Sequence, residues 1–356
     1  MARSRRGAGR RRAGALALVL AAAGVTGCGT FSTGDDRGRA VEIAERVAPG
    51  ELEVIGARTL FPQAGGSEVS FRVVGDADAV VRLRVDAEKS DCEGRDCAER
   101  LTAAVADARR EADGFRLMRR EFGACGYEVH GLSADGTGPW IAAPVDAESV
   151  RPLVASVGAC LERWTRARGG AAPPYLSVKV APPERADGLP GDPGLPSLVR
   201  LTSGERLGRL GSGTYHRVGF RAGPGGRLDR DSGEIDLVQP FEERQRFAAA
   251  VREAAAEWLR TRAEPPLPDA VTSEFTGVWK LVPGRVDRFG GWVLYCERPE
   301  GERPVCPGRH ALAVTVGPDG ALTAEPRAFR DVREGNGLLG LPDEGDGAPS
   351  YAWPGP

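Results

Sequence analysis

Three histidines, His130, His216 and His310, are the only imidazoles in the chain, and imidazole is the side chain that most readily acts as a general base or metal ligand near neutral pH. They lie far apart and lack the close spacing of a helical metal motif. A lone histidine on a strand is ordinarily a partly exposed polar residue, so no catalytic residue, metal ligand or cofactor site is assigned from them. Gly131-Leu132-Ser133-Ala134-Asp135 begins like the G-x-S-x-G turn that presents a nucleophilic serine. It lacks the second glycine that permits the tight strand-to-helix turn, and it precedes a predicted strand, not a helix. A hydrolase built here would have to draw on Tyr127, His130 and Asp135. The carboxylate pairs Asp35-Asp36, Glu242-Glu243 and Asp343-Glu344 read as solvated charge, because general acid and base work needs two carboxylates converging across a cleft.

The run from Leu210 through Gly211-Ser212-Gly213 to Val218 looks like the glycine-rich nucleotide loop of protein kinases. His216 stands at the third glycine, no lysine follows in a V-A-I-K context, and neither His-Arg-Asp nor Asp-Phe-Gly occurs downstream. Phosphoryl transfer needs those groups to hold Mg²⁺ and the phosphates. The stretch is therefore read as a glycine-rich turn into a strand.

The N-terminus carries a clearer message. Arg3, Arg5, Arg6, Arg10, Arg11 and Arg12 precede an apolar or small run from Ala13 to Val25, the order of a charged n-region, an h-region and a cleavage site. At about 13 residues the run is short of the roughly 20 that span a bilayer as a helix. Val25-Thr26-Gly27-Cys28 resembles the lipobox of bacterial lipoproteins, with valine where leucine is usual. That resemblance implies that residues 1–27 are a signal peptide, that Cys28 carries a diacylglycerol, and that the protein sits on the extracytoplasmic face of the cell membrane.

An exported compartment permits disulfides. Besides Cys28 there are Cys92, Cys97, Cys125, Cys160, Cys296 and Cys306, and six cysteines allow 15 pairings. Sequence neighbours suggest Cys92 with Cys97, Cys125 with Cys160, and Cys296 with Cys306. The rival is a zinc site drawn from the first four, since zinc sites often use short cysteine pairs.

With 356 residues, 41% hydrophobic and 28% charged, the chain is long enough for two domains or more. Its 49 Gly and 27 Pro imply many turns. Lys89, Lys179 and Lys280 are the only lysines among 48 basic residues, and with abundant Ala and Gly the chain is similar in appearance to lipoproteins of high-GC actinobacteria. The net charge of −2 becomes more negative without the signal arginines, so no basic surface suited to nucleic acid is expected.

These features need elements to hold them. Residues 28–39 are polar and read as a flexible tether. Val69–Val73 and Val80–Val85 alternate as half-buried strands around Gly75-Asp76, and Leu101, Val105, Ala108 and Ala112 mark one stripe of a helix. Tyr127–Leu132 and Trp140–Val145 predict two more strands. A helix follows, with Ser149 as N-cap, Trp164 on its apolar face and Gly169-Gly170 at its end. Tyr175–Val180, Thr214–Arg221 and Glu234–Val238 read as strands, and Pro182–Pro196 as a long loop of functional or mobile character. Pro240 opens a second helix, buried at Phe247, Val251, Ala254, Ala255 and Trp258. The two helices match in the spacing of their Trp and Arg residues, which suggests a weak duplication. Strands are predicted at Gly277–Val282, Gly291–Cys296 and His310–Val316.

The fold class expected is α+β: two weakly related antiparallel-sheet-plus-helix units, 40–170 and 171–265, then a β-rich portion, 266–330, and a poorly ordered tail, 331–356. The expected function is non-enzymatic binding of an envelope protein, polymer or small ligand by a membrane-anchored lipoprotein. A cell-envelope hydrolase is the alternative.

Overall fold

The computed structural model describes residues 33–61, 64–133, 138–169, 171–276, 279–299, 306–333 and 337–341. Cys28 with its signal, Asp135, and the Asp343-Glu344 pair lie outside them. Among the described residues no helix is long and apolar enough to cross a membrane.

The chain is α+β. It opens with helix α1 (Thr33–Val47), so helix begins where a tether to residue 39 was expected. Asp36 explains the difference: it is buried, accepting from Ser67 Oγ at 2.6 Å and from the Ala87 amide at 2.7 Å, while Ala40, Ile43 and Ala44 supply the apolar face. Strands β1 (Leu52–Thr59), β2 (Ser67–Val73) and β3 (Asp76–Val85) form an antiparallel sheet. Helix α2 (Cys97–Ala124) packs on it, capped by Asp96, whose side chain accepts from the amides of Ala98 and Glu99. This satisfies two of the helix's orphan donors. Leu101, Ala108 and Ala112 of α2 join the core of the small sheet. Phe115, Met118 and Phe122, further along, enter a second and larger core.

That larger core belongs to a ten-stranded sheet. Strands β4 (Gly131–Leu132) and β5 (Pro139–Ala142) start it, and are shorter than the alternation predicted. Helix α3 (Val150–Arg168) follows. Ser149 does not cap it by side chain; Asp146 Oδ1 instead accepts from the amides of Glu148 and Ser149, and Ser149 Oγ donates to the Pro144 carbonyl. Gly169, with φ of 74°, ends the helix in a conformation that side chains disfavour. Strand β6 (Tyr175–Ala181) then lies parallel to β5.

The Pro/Gly-rich loop that follows is fixed by arginines from the short helices α4 (Ser197–Leu201) and α5 (Gly204–Leu210). Arg206 donates to the Pro190 carbonyl and Arg209 to those of Asp187 and Gly188. Strands β7 (Tyr215–Arg221) and β8 (Glu234–Val238) pair antiparallel, and α6 (Phe241–Thr261) follows. Strands β9 (Val271–Thr276), β10 (Lys280–Leu281), β11 (Phe289–Cys296), β12 (His310–Val316) and β13 (Arg327–Phe329) complete the sheet. Its order is β13-β12-β11-β10-β8-β7-β6-β5-β4, with β9 also against β11.

Two β-β-α units are present, β4-β5-α3 and β7-β8-α6, with Trp164 and Trp258 both buried. They are parts of one sheet, not separate bodies: β6 carries the hydrogen bonding across residue 170, and β10 across residue 265. The strand after α3 pairs with β5, whereas the strand after α6 pairs with β11, so the likeness ends at the helices. Part of the expected tail is structured, for Val332 is buried and Arg333 bridges to Leu339. Three cysteine pairs are bonded: Cys92 with Cys97, Cys125 with Cys160, and Cys296 with Cys306. The second ties the end of α2 to α3.

Candidate ligand-binding cleft

Alternation along β8 sends Ile235 into the helix-covered core and leaves Glu234 and Asp236 on the opposite face. Cross-strand register then sets Lys179, Arg217, Asp236 and Lys280 in one row over four strands. Asp236, flanked by Arg217 and Lys280, favours that register, while Lys179 faces the like charge of Arg217. Arg217 Nε donates to Asp236 Oδ2 at 3.1 Å, and its Nη2 reaches the same oxygen. Burial opposes the charge on Arg217, yet the hydrogen bond and attraction of Asp236 prevail, and the guanidinium pKa lies above its ordinary value. Lys280 Nζ contacts Glu234 Oε2 at 2.5 Å, and the Tyr175 hydroxyl donates to Glu234 Oε1 at 3.3 Å. Tyr175 lies across Gly219, where a Cβ would overlap its hydroxyl. Burial pushes the Tyr175 phenol up to about 12, so it stays a neutral donor.

The sheet opens beside this row. β10 pairs with β8 at Asp236 alone, so among the described residues Leu237 and Val238 have a strand neighbour only on the β7 side. The chain then turns at Pro240 into α6, while β9 is drawn away to β11. Between them lies a cleft of about 590 Å³, within the size range of small-molecule sites. One wall is α6, where Arg244, Ala248 and Arg252 line the cleft; their spacing of four stacks them on one helix face, with the small alanine between two guanidiniums. Phe247, Trp279 and Phe289 form an apolar floor, edge to face, with ring centroids 5.7 and 5.4 Å apart. Asp236 Oδ1 and Trp279 Nε1 are enclosed and have no hydrogen-bond partner among the described residues.

The residues singled out from sequence lie elsewhere. His310 is buried, with Nδ1 accepting from the Asp331 amide at 3.0 Å and its ring 5.2 Å from Tyr295, a structural role. His216 sits on β7 between Val180 and Leu237 in register, and burial pushes its pKa down to about 4. His130 lines a separate shallow recess of about 580 Å³ with Glu128, Asp187 and Arg206. Burial lowers its pKa, against the opposing pull of Glu128. No hydroxyl or thiol lines that recess. Ser133 instead accepts from Lys179 Nζ at 3.3 Å and donates to the Gly138 carbonyl at 3.1 Å. Leu210 ends α5 and Tyr215 begins β7, so the glycines of the kinase-like run form a helix-to-strand turn. Glu243 accepts from Thr214 Oγ1 at 3.0 Å, fastening the start of α6 to β7. Among the described residues no cluster suited to a metal ion occurs.

The cleft itself was not picked out from sequence. Its visible trace is the spacing Arg244, Ala248, Arg252 on a helix whose other stripe, Phe247, Val251 and Ala255, is plainly core. No protein-family model matches the chain, and no curated protein or solved structure matches it either.

Proposed function

We propose that this protein is a lipid-anchored binding protein of the extracytoplasmic face of the cell membrane, and that the cleft beside α6 holds its ligand. Val25-Thr26-Gly27-Cys28 supports the anchor: a diacylglycerol brings two acyl chains, and two chains give stable attachment where one is marginal. The observation that carries the binding reading is the cleft of about 590 Å³, which combines an aromatic floor with arginines and enclosed polar atoms that have no partner among the described residues. Recesses that take small molecules have this mixture of apolar lining and few polar groups. Catalysis has less support, because no hydroxyl or thiol lines the recess at His130 and Ser133 is engaged elsewhere.

Two measurements test the reading. Cys28→Ser should leave an unprocessed or released protein in membrane fractionation and intact mass; a variant still cleaved before residue 28 and still membrane-bound removes the anchor. Native mass spectrometry of the chain purified from its own envelope should show a bound small molecule that Ala248→Leu, which fills the cleft, abolishes. A bound molecule retained by that variant places the site elsewhere.

A further inference from the structure

We infer that the cleft beside α6 is a site for an organic anion, a carboxylate carried on a flat apolar body, whose head is gripped by Arg244 and Arg252. The inference rests on the reading of the cleft as a ligand site and adds the chemistry of the ligand.

The arginines of the cleft differ in what they already hold. Arg217 is committed to Asp236 through two nitrogens on one oxygen. Arg244 and Arg252 have no carboxylate within ion-pair distance among the described residues. The Arg244 guanidinium lies 5.7 Å over the exposed Phe241 ring, and Arg252 Nη1 donates to the Glu274 carbonyl at 3.1 Å. Each guanidinium has five donors in a planar fork, so most remain for a ligand, and that fork matches a carboxylate with two parallel hydrogen bonds. Ala248 between them leaves room where a longer side chain would fill the gap.

The rest of the lining agrees in sign and shape. The first turn of α6 carries Glu242 and Glu243, which already balance the positive end of that helix, so the grip on an anion falls to the two arginines. Two acidic side chains of the lining oppose an anion. Asp236 is already held by Arg217, and Glu274 is exposed, where water screens it. Trp279 supplies a flat apolar surface and an indole N–H with no acceptor among the described residues. An oxyanion supplies acceptors to the two guanidiniums, whereas a cationic head would find acceptors in Asp236 Oδ1 and Glu274 but would face the repulsion of Arg244 and Arg252.

Isothermal titration of the full chain in micelle-matched buffer with indole-3-acetate, indole-3-ethanol and tryptamine separates the terms, since the three share a flat body and differ in head charge. Indole-3-acetate should bind at least roughly 10-fold more tightly than the other two. Arg244→Gln and Arg252→Gln should each weaken it roughly 10- to 100-fold, the range for a hydrogen bond to a charged group. Both should keep the wild-type melting temperature, and Arg260→Gln, on the same helix and outside the cleft, should bind normally. Equal binding of all three compounds that Ala248→Leu abolishes overturns the anion and leaves the cleft; binding of none overturns both. Indole-3-acetate binding that neither arginine variant changes also overturns the inference.

Discussion

His216 is a titratable group that its environment holds toward neutrality. Burial holds its pKa at about 4 in the folded protein, against about 6.5 in an unfolded chain. Protons therefore bind the unfolded chain first as pH falls. The stability that His216 contributes is complete above pH 6.5 and is shed between about 6.5 and 4; at about 1.4 kcal/mol per pH unit, this is at most roughly 3.5 kcal/mol. Asp76 and Glu93 are carboxylates shifted downward. Burial works against their charge, but Arg116 holds the first and Arg100 with Arg84 the second, and both pKa values lie below the usual carboxylate range. Their contribution is lost only as pH drops below the ordinary carboxylate values, so the two windows are distinct. His216→Gln should flatten the urea-midpoint profile between pH 6.5 and 4 while leaving the steeper acid limb in place. An unchanged profile in that window would show that the imidazole is hydrated in solution.

At the level of elements, what was legible from the sequence tracks how strongly one periodic pattern dominates a stretch. Helices α3 and α6 and the first half of α2 declare themselves because an apolar stripe recurs at helical spacing, and β7, β8 and β12 because each is a short run with apolar residues set between turn residues. The second half of α1, Ala40 to Val47, reads as a short helix, but its first half was hidden because those turns are polar and its anchor is a buried carboxylate, Asp36. α4 and α5 are five and seven residues long, too short to set up a stripe, although Ser203 accepting from the Arg206 amide is an N-cap readable in hindsight. β9 escaped because its sequence, Val271-Thr272-Ser273-Glu274-Phe275, mixes the two faces, and the pairing that selects it comes from β11. The cleft was illegible for a related reason: it exists because β8 and β9 part company, which is long-range topology. Trp258 shows the energetic side of these elements. It is 8% exposed, contributes to the large core, and donates from Nε1 to Glu325 at 2.9 Å. Trp258→Ala should cost about 3 to 5 kcal/mol by chemical denaturation, and Trp258→Phe distinctly less, because the ring retains most of the apolar contact. Equal losses from the two would assign the stability to the hydrogen bond.

Across the whole molecule, two cores share one helix. The first half of α2 completes the core of the small sheet and the second half enters the core of the large one, so the helix transmits the folding of each to the other. A disulfide at each end reinforces this arrangement: Cys92–Cys97 fastens its start, and Cys125–Cys160 bonds its end to α3. The second bridge closes the longer loop, with a separation of 35 residues, and in the chain-entropy model this constrains the unfolded chain by about 4 kcal/mol. Removing it by the paired substitution Cys125→Ser and Cys160→Ser should therefore lower stability by an amount of that order. The loss should be uneven. Residues 33–112 retain their own apolar cluster and Cys92–Cys97, whereas Phe115, Met118 and Phe122 lose the bond that holds them against α3. Calorimetry of the paired variant should resolve a second transition, and hydrogen exchange should quicken in the second half of α2 and in α3 before it does in β2 and β3. A single transition with uniform exchange would mean that packing along α2 alone couples the two cores, and that the bridge acts only on the unfolded chain.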